Sequence, residues 1–112
     1  MTPRTTGPRS QNTRFRGHCK SIAEQLSTPG RPYTTNEIAD AIKRMSVSEG
    51  YPVTLAIDGA VVPQSEAHAS MHEATILITV VQRFADEHGL WLIEYIDGKP
   101  TRVWAGVVDG KE

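Results

Sequence analysis

The chain of 112 residues holds a single cysteine, Cys19. No internal disulfide can form, and a reducing intracellular compartment is the simplest setting. Long apolar runs are also missing. The longest, Ile76 to Val81, is interrupted by Thr79, far short of the roughly 20 residues that span a bilayer as a helix. No membrane association is expected. The N-terminal arginines have no apolar stretch beside them, so a secretory signal is not expected either. Glycine-rich loops of the phosphate-binding or dinucleotide type are absent, as is any G-x-S-x-G elbow. Acidic residues are absent from Met1 to Ala23.

That last absence is the informative one. The first 23 residues carry Arg4, Arg9, Arg14, Arg16 and Lys20, while the remainder holds seven basic and thirteen acidic residues, so a net charge of −1 hides a basic start and an acidic body. Segregation of this kind suits either an anionic partner or a solvated basic tail. With 38% hydrophobic and 22% charged residues, the composition is that of one small globular domain. Proline and glycine in Met1 to Pro8 predict a flexible lead over residues 1–9. A single α+β domain is expected over 10–106 and a frayed end over 107–112.

Three helices are expected. The first begins near Ser10 to Asn12, with Phe15, Cys19, Ile22 and Leu26 as its apolar stripe, and ends at Pro29-Gly30. Gly17 inside it suggests close approach of another backbone. The second opens on the capping box Thr34–Glu37 and buries Ile38, Ala41, Ile42 and Met45. The third is read from Gln64 to Leu90, with the stripe Ala74, Leu77, Ile78, Val81, Phe84 and Ala85. It has a capping box at Ser70–Glu73, an earlier candidate cap at Ser65, and Gly89 as a C-cap. Between helices two and three, Val53 to Ile57 and Ala60 to Val62 flank Asp58-Gly59, a two-residue hairpin signal. Asp97-Gly98 suggests a short C-terminal hairpin.

The residues give catalysis no positive support. His68 and His72, four apart with Glu73 adjacent, make H-x-x-x-H-E, not the H-E-x-x-H that places a general base beside zinc. His18 and Cys19 would have to complete a metal set, yet Cys19 lies on an apolar stripe. No cofactor is expected, and the chain is read as a non-enzyme. For binding, Arg14, Arg16 and Lys20 recur on the first helix behind Arg4 and Arg9, and Gln11 and Asn12 stand at its start, where free N–H groups favour anions. Trp91, Trp104, Tyr33 or Tyr95 would stack on unpaired bases if exposed. Core or cross-strand packing is the competing reading, favoured for the two tryptophans.

Two blocks resemble the NinB/Orf recombination proteins of lambda-type phages. The first is Gln11-Asn12, then Cys19, Ile22, Gln25, Leu26 and Gly30-Arg31. The second is Gln64-Ser65, Met71, Glu73, Leu77, Val81, Gln82, Phe84, Glu87 and Gly89, spaced without gaps. The resemblance spans about Ser10 to Leu90. It implies a NinB-like α+β fold and a non-catalytic recombination mediator in the cytoplasm of a bacterial host. It also implies an intertwined homodimer, binding to single-stranded DNA and contact with the host single-strand-binding protein. Carried over residue by residue, the DNA path points to Gln11, Arg14, Arg16, Gln64, Ser65 and His68; with the basic stretch, the candidate set also includes Arg9, Asn12 and Lys20. This chain departs from the family in two places. The β-rich segment that usually precedes the Q-N motif is replaced by a short arginine-bearing lead, and Arg16 stands where an aromatic is expected. A small protein-binding module that docks on a host protein without nucleic acid is the alternative function.

Overall fold

The computed structural model describes the backbone of residues 8–104 and 107–108, and side chains from 11 to 104. The assignment of residues 1–7 to a flexible lead lies outside the described residues. Helix α1 spans Pro8–Leu26, so residues 8 and 9 belong to the helix and not to the lead. Proline at a helix start costs nothing, because its missing N–H would have no partner there. Phe15, Cys19 and Ile22 are fully buried, as the stripe predicts, but so are His18 and Ser21. The buried face of α1 is therefore wider than its apolar residues suggest. Gly17 does not receive another backbone. Nothing lies within 4 Å of the place its side chain would occupy, and it borders an open groove.

Helix α2 spans Thr35–Ser46. Its capping box is complete: Glu37 N–H donates to Thr34 Oγ1 at 3.1 Å, and Thr34 N–H donates to Glu37 Oε1 at 2.9 Å. Ile38, Ala39, Ile42 and Ser46 are buried. Met45, expected in the stripe, is exposed, because Ala39 and not Met45 faces the core. A 3₁₀ turn, Val47–Glu49, closes on Gly50 at φ 106°.

Helix α3 spans Met71–Glu87, which corrects the expected start at Gln64. Ser65 caps only a single 3₁₀ turn, Glu66–His68, after which Ala69 and Ser70 are extended. Ser70 then opens α3 through its own capping box with Glu73. Two caps five residues apart thus define two elements, since a capping residue has non-helical backbone. Ala74, Leu77, Ile78, Val80, Val81 and Ala85 are buried; Phe84 is half-buried against the core. Gly89 adopts φ 67°, as a C-cap glycine should.

Strands β1 (Val53–Leu55) and β2 (Val61–Pro63) pair antiparallel, with Thr54 opposite Val62. Their loop is not the expected two-residue turn. Ala56 N–H donates to Ala60 O at 2.8 Å and Gly59 N–H to Ala56 O at 2.9 Å, which leaves Ile57, Asp58 and Gly59 as the loop. Only Gly59 has positive φ, the pattern of a type I turn followed by a glycine bulge. The two-residue turn occurs instead at Asp97-Gly98, where φ is 54° and 78°, between β3 (Leu92–Ile96) and β4 (Lys99–Trp104). Strand β5 (Val107–Val108) pairs with the end of β4, where a frayed end was expected; residues 109–112 lie outside the described ones.

The fold is α+β: three helices and two small antiparallel sheets. Helix α1 packs on α2, α3 and β3. Tyr51 pins the first hairpin to the body, its hydroxyl donating to Gln64 O at 2.8 Å. No described helix is long and apolar enough to cross a membrane.

These packing differences predict unequal costs. Leu77→Ala should lose about 2–5 kcal/mol, and Ser70→Ala about 1 kcal/mol through the lost cap. Ile57→Ala should change stability by less than about 0.5 kcal/mol, since Ile57 is fully exposed. Urea denaturation followed by circular dichroism ranks the three.

Candidate functional site

Helix α1 carries its cations to two different sides. On one, Arg14 Nε donates to both carboxylate oxygens of Glu94 at 3.1 Å, and Nη2 to Oε2 at 2.6 Å. His18, fully buried, places Nε2 3.4 Å from the same oxygen, but neither of its ring nitrogens makes a hydrogen bond among the described residues. Burial pushes the Glu94 carboxyl up, but the close His18 imidazole and the hydrogen-bonded Arg14 guanidinium outweigh it and hold it at about 2.

On the other side, Arg16 Nη1 donates to Glu66 Oε2 at 2.8 Å and Nη2 reaches Asn36 Oδ1. Lys43 Nζ donates to Glu66 Oε1 at 2.8 Å. Glu66 is only 15% exposed. Its burial opposes ionisation, yet the Lys43 hydrogen bond, the turn's backbone, and the charges of Lys43 and Arg16 hold its pKa below the usual range. Charge-assisted contacts of this length are the stronger class of hydrogen bond.

The two arginines therefore do not share one polar face. Gln11, Arg14 and Lys20 line a groove of about 950 Å³ between α1 and β3. Lys20 is exposed, with no ion pair among the described residues. Arg16 instead lies at the Glu66–His68 turn, beside exposed Ser65 and His68. Ser65 Oγ accepts from Ala67 N–H at 3.2 Å. Gln64 turns inward, its amide donating to Glu73 Oε1 at 3.1 Å. Asn12 is half-buried, with Oδ1 unpaired among the described residues. The Arg9 side chain lies outside the described residues.

His68 and His72 do not lie on one helix face, because Ala69 and Ser70 break the chain between the turn and α3. No group of three or more potential metal-ligating side chains occurs among the described residues. The Cys19 thiol is pushed up to about 12, chiefly by burial, with Arg16 and Lys43 opposing and Glu66 adding to the rise. It is protonated at neutral pH and a poor nucleophile. Of the aromatics, Trp91 is covered by the Arg102 guanidinium, 4.5 Å from its ring centre. Tyr33 packs on the core under Arg31, and Tyr95 is 73% exposed.

Glu66 and Glu94 were not singled out by the sequence as site residues, His18 was weighed only as a metal ligand, and Gln25 only as part of the first resemblance block. Of the two glutamates Glu94 left a signal, an acid inside the apolar run Leu90 to Ile96, which demands a partner when such a run is buried. Gln25 pairs its amide with the backbone of Trp91 in both directions, at 2.7 and 3.0 Å.

Because the Glu94 pKa falls from 4.5 in the unfolded chain to about 2 in the folded one, its stabilisation is fully present above pH 4.5 and is lost as pH falls towards 2. Thermal melts between pH 7 and 2 should show a shallower acid decline for Glu94→Gln than for the parent. Glu66 and Glu73, lowered in the same direction, supply the decline that remains.

No family model, no curated protein and no solved structure matches the chain.

Proposed function

We propose that this is a non-enzymatic accessory protein of phage DNA recombination that binds single-stranded DNA. The contact surface is the N-terminal half of α1 together with the Gln64–His68 segment. The observation that supports this best is the Arg16–Glu66 contact. It joins the two sequence blocks that resemble NinB/Orf proteins, the one opening with Gln11-Asn12 and the one opening with Gln64-Ser65. Segments 50 residues apart thus contribute Arg16, Ser65 and His68 to one surface. Arg16 keeps about a third of its side chain exposed. Arg14 has a different role. Its three hydrogen bonds to Glu94 make it a clamp between α1 and β3. In this reading the chain is a homodimer in the bacterial cytoplasm and contacts the host single-strand-binding protein.

A second reading, docking on a protein without nucleic acid, is favoured by the first hairpin. Leu55 is 70% exposed, Ile57 fully exposed and Val61 66% exposed, and Asp58 is the only charge between Tyr51 and Pro63. Exposed strands normally carry charges that oppose pairing, and a lone two-stranded hairpin is marginal in water. A partner that covers it, a second copy included, answers both.

Fluorescence anisotropy with labelled oligo-dT at low salt separates these readings. DNA binding predicts affinity that falls linearly with salt on logarithmic axes. Arg16→Ala should weaken binding several-fold, while Arg14→Ala lowers the melting temperature. A flat titration would sink the DNA reading. Light scattering after size exclusion tests the hairpin: Leu55→Glu with Ile57→Glu should convert a dimer to a monomer without loss of helical signal.

A further inference from the structure

Strand β3 is an edge strand: among the described residues its only sheet neighbour is β4. The register fixes which of its backbone groups are free. Ile96 and Lys99 flank the two-residue turn, and Tyr95 lies opposite Pro100. Pro100 has no N–H to give, so Tyr95 occupies a position whose N–H and C=O point away from β4. Backbone direction alternates along a strand, so Trp91, Ile93 and Tyr95 all turn these groups to the outer edge. At Trp91 the edge is already occupied. Gln25 donates from Nε2 to Trp91 O at 2.7 Å and accepts from Trp91 N–H at 3.0 Å, so a carboxamide of this chain sits there as the peptide group of a neighbouring strand would. Beyond it, the backbone groups of Ile93 and Tyr95 have no partner among the described residues. Both residues line the groove against α1, and its wall on the helix side is low, because Gly17 and Ser21 stand one turn apart there.

We propose that this groove binds an extended segment of a partner polypeptide, which adds a strand to the β3 edge at Ile93 and Tyr95. Polypeptide suits the site better than nucleic acid for two reasons. The edge offers donors and acceptors in equal number, whereas phosphate can use only donors. The groove also balances Arg14 and Lys20 against Glu24 and Glu94, which leaves no net field to attract a polyanion. Lys20 and Glu24 are unpaired among the described residues and about 6 Å apart along α1. Alternate residues of an extended chain repeat every ~6.7 Å. The fitting segment therefore lacks proline at its paired positions and carries an acid and a base two residues apart. Its main-chain bonds supply affinity and the charge pair supplies register, the division of labour usual in strand addition.

The test uses the full chain labelled with ¹⁵N and a capped peptide, acetyl-Val-Asp-Val-Lys-Val-Thr-amide, at concentrations up to millimolar. The Ile93 and Tyr95 amides should shift, and their hydrogen exchange should slow by on the order of tenfold. The same peptide methylated on alternate backbone nitrogens should do neither. Gly17→Leu has open space for its side chain, so it should keep the fold, its melting temperature equal to or above the parent's, and still lose the peptide response. Three results would overturn the proposal: no change at Ile93 and Tyr95 with millimolar peptide, an equal response to the methylated peptide, or a response of these amides to oligo-dT alone.

Discussion

Helix α1 is the element against which α2, α3 and β3 are all packed, and that position constrains everything polar on it. A helix with one buried stripe can leave its charges in water. A helix packed on several sides cannot. Arg14 and Arg16 emerge where neighbours press close, and each is met by a glutamate from a distant segment, Glu94 at 2.6 Å and Glu66 at 2.8 Å. A partly buried guanidinium left alone would forfeit far more than an exposed pair contributes. The pairings therefore set where β3 and the Glu66–His68 turn must sit. Between them Cys19 and His18 lie fully buried: burial keeps the thiol protonated, and the imidazole stays beside Glu94.

This compensation changes the meaning of the basic N-terminal stretch. Counted along the sequence, α1 looks like a cationic track. Counted in space, Arg14 and Arg16 are divided between two sides and largely neutralised. What remains for an anionic ligand is the outer part of Arg16 and whatever Arg4 and Arg9 add, since Lys20 stands in the groove with Glu24 and Glu94. Binding through so few free charges should be weak per molecule and depend on salt. Two copies of the chain would double the charge available along one strand, so the dimer and DNA readings support each other. The first hairpin, uncharged but for Asp58, has the surface character that such pairing requires.

Much of the architecture was legible because its signals were local. The capping boxes at Thr34–Glu37 and Ser70–Glu73 are four-residue patterns, and both hairpins carried an Asp-Gly turn. The errors arose where two local signals competed. Ser65 and Ser70 both read as caps of one helix, yet a residue cannot cap and also lie inside a continuous helix, so the chain divided into a turn and α3. Asp58-Gly59 and Asp97-Gly98 are the same dipeptide, but Asp97 takes positive φ and Asp58 does not. The difference lies in how the flanking strands meet, beyond the reach of the dipeptide itself. The site was less legible still. Nothing in the sequence pairs Arg16 with Glu66 or Gln25 with Trp91, because those contacts cross 50 and 66 residues. Periodicity placed Cys19 correctly in the core but could not say that His18 beside it would be buried too.

The distribution of stability follows the same division. Nearly every fully buried side chain belongs to the helices, with Tyr51 and Leu92 at the roots of the two hairpins. The strands beyond those roots contribute little to the core: Leu55, Ile57, Val61 and Tyr95 are largely in water. Exposed apolar groups on marginal hairpins are a liability for a solitary chain, and the core gains nothing from them. Gly17 likewise weakens α1 by roughly 1 kcal/mol relative to alanine, with no close backbone approach to require it. Three features, an apolar hairpin, an open strand edge and a bare turn of helix, thus each cost the isolated fold something. None serves its packing, and each lies on a surface a second molecule can reach.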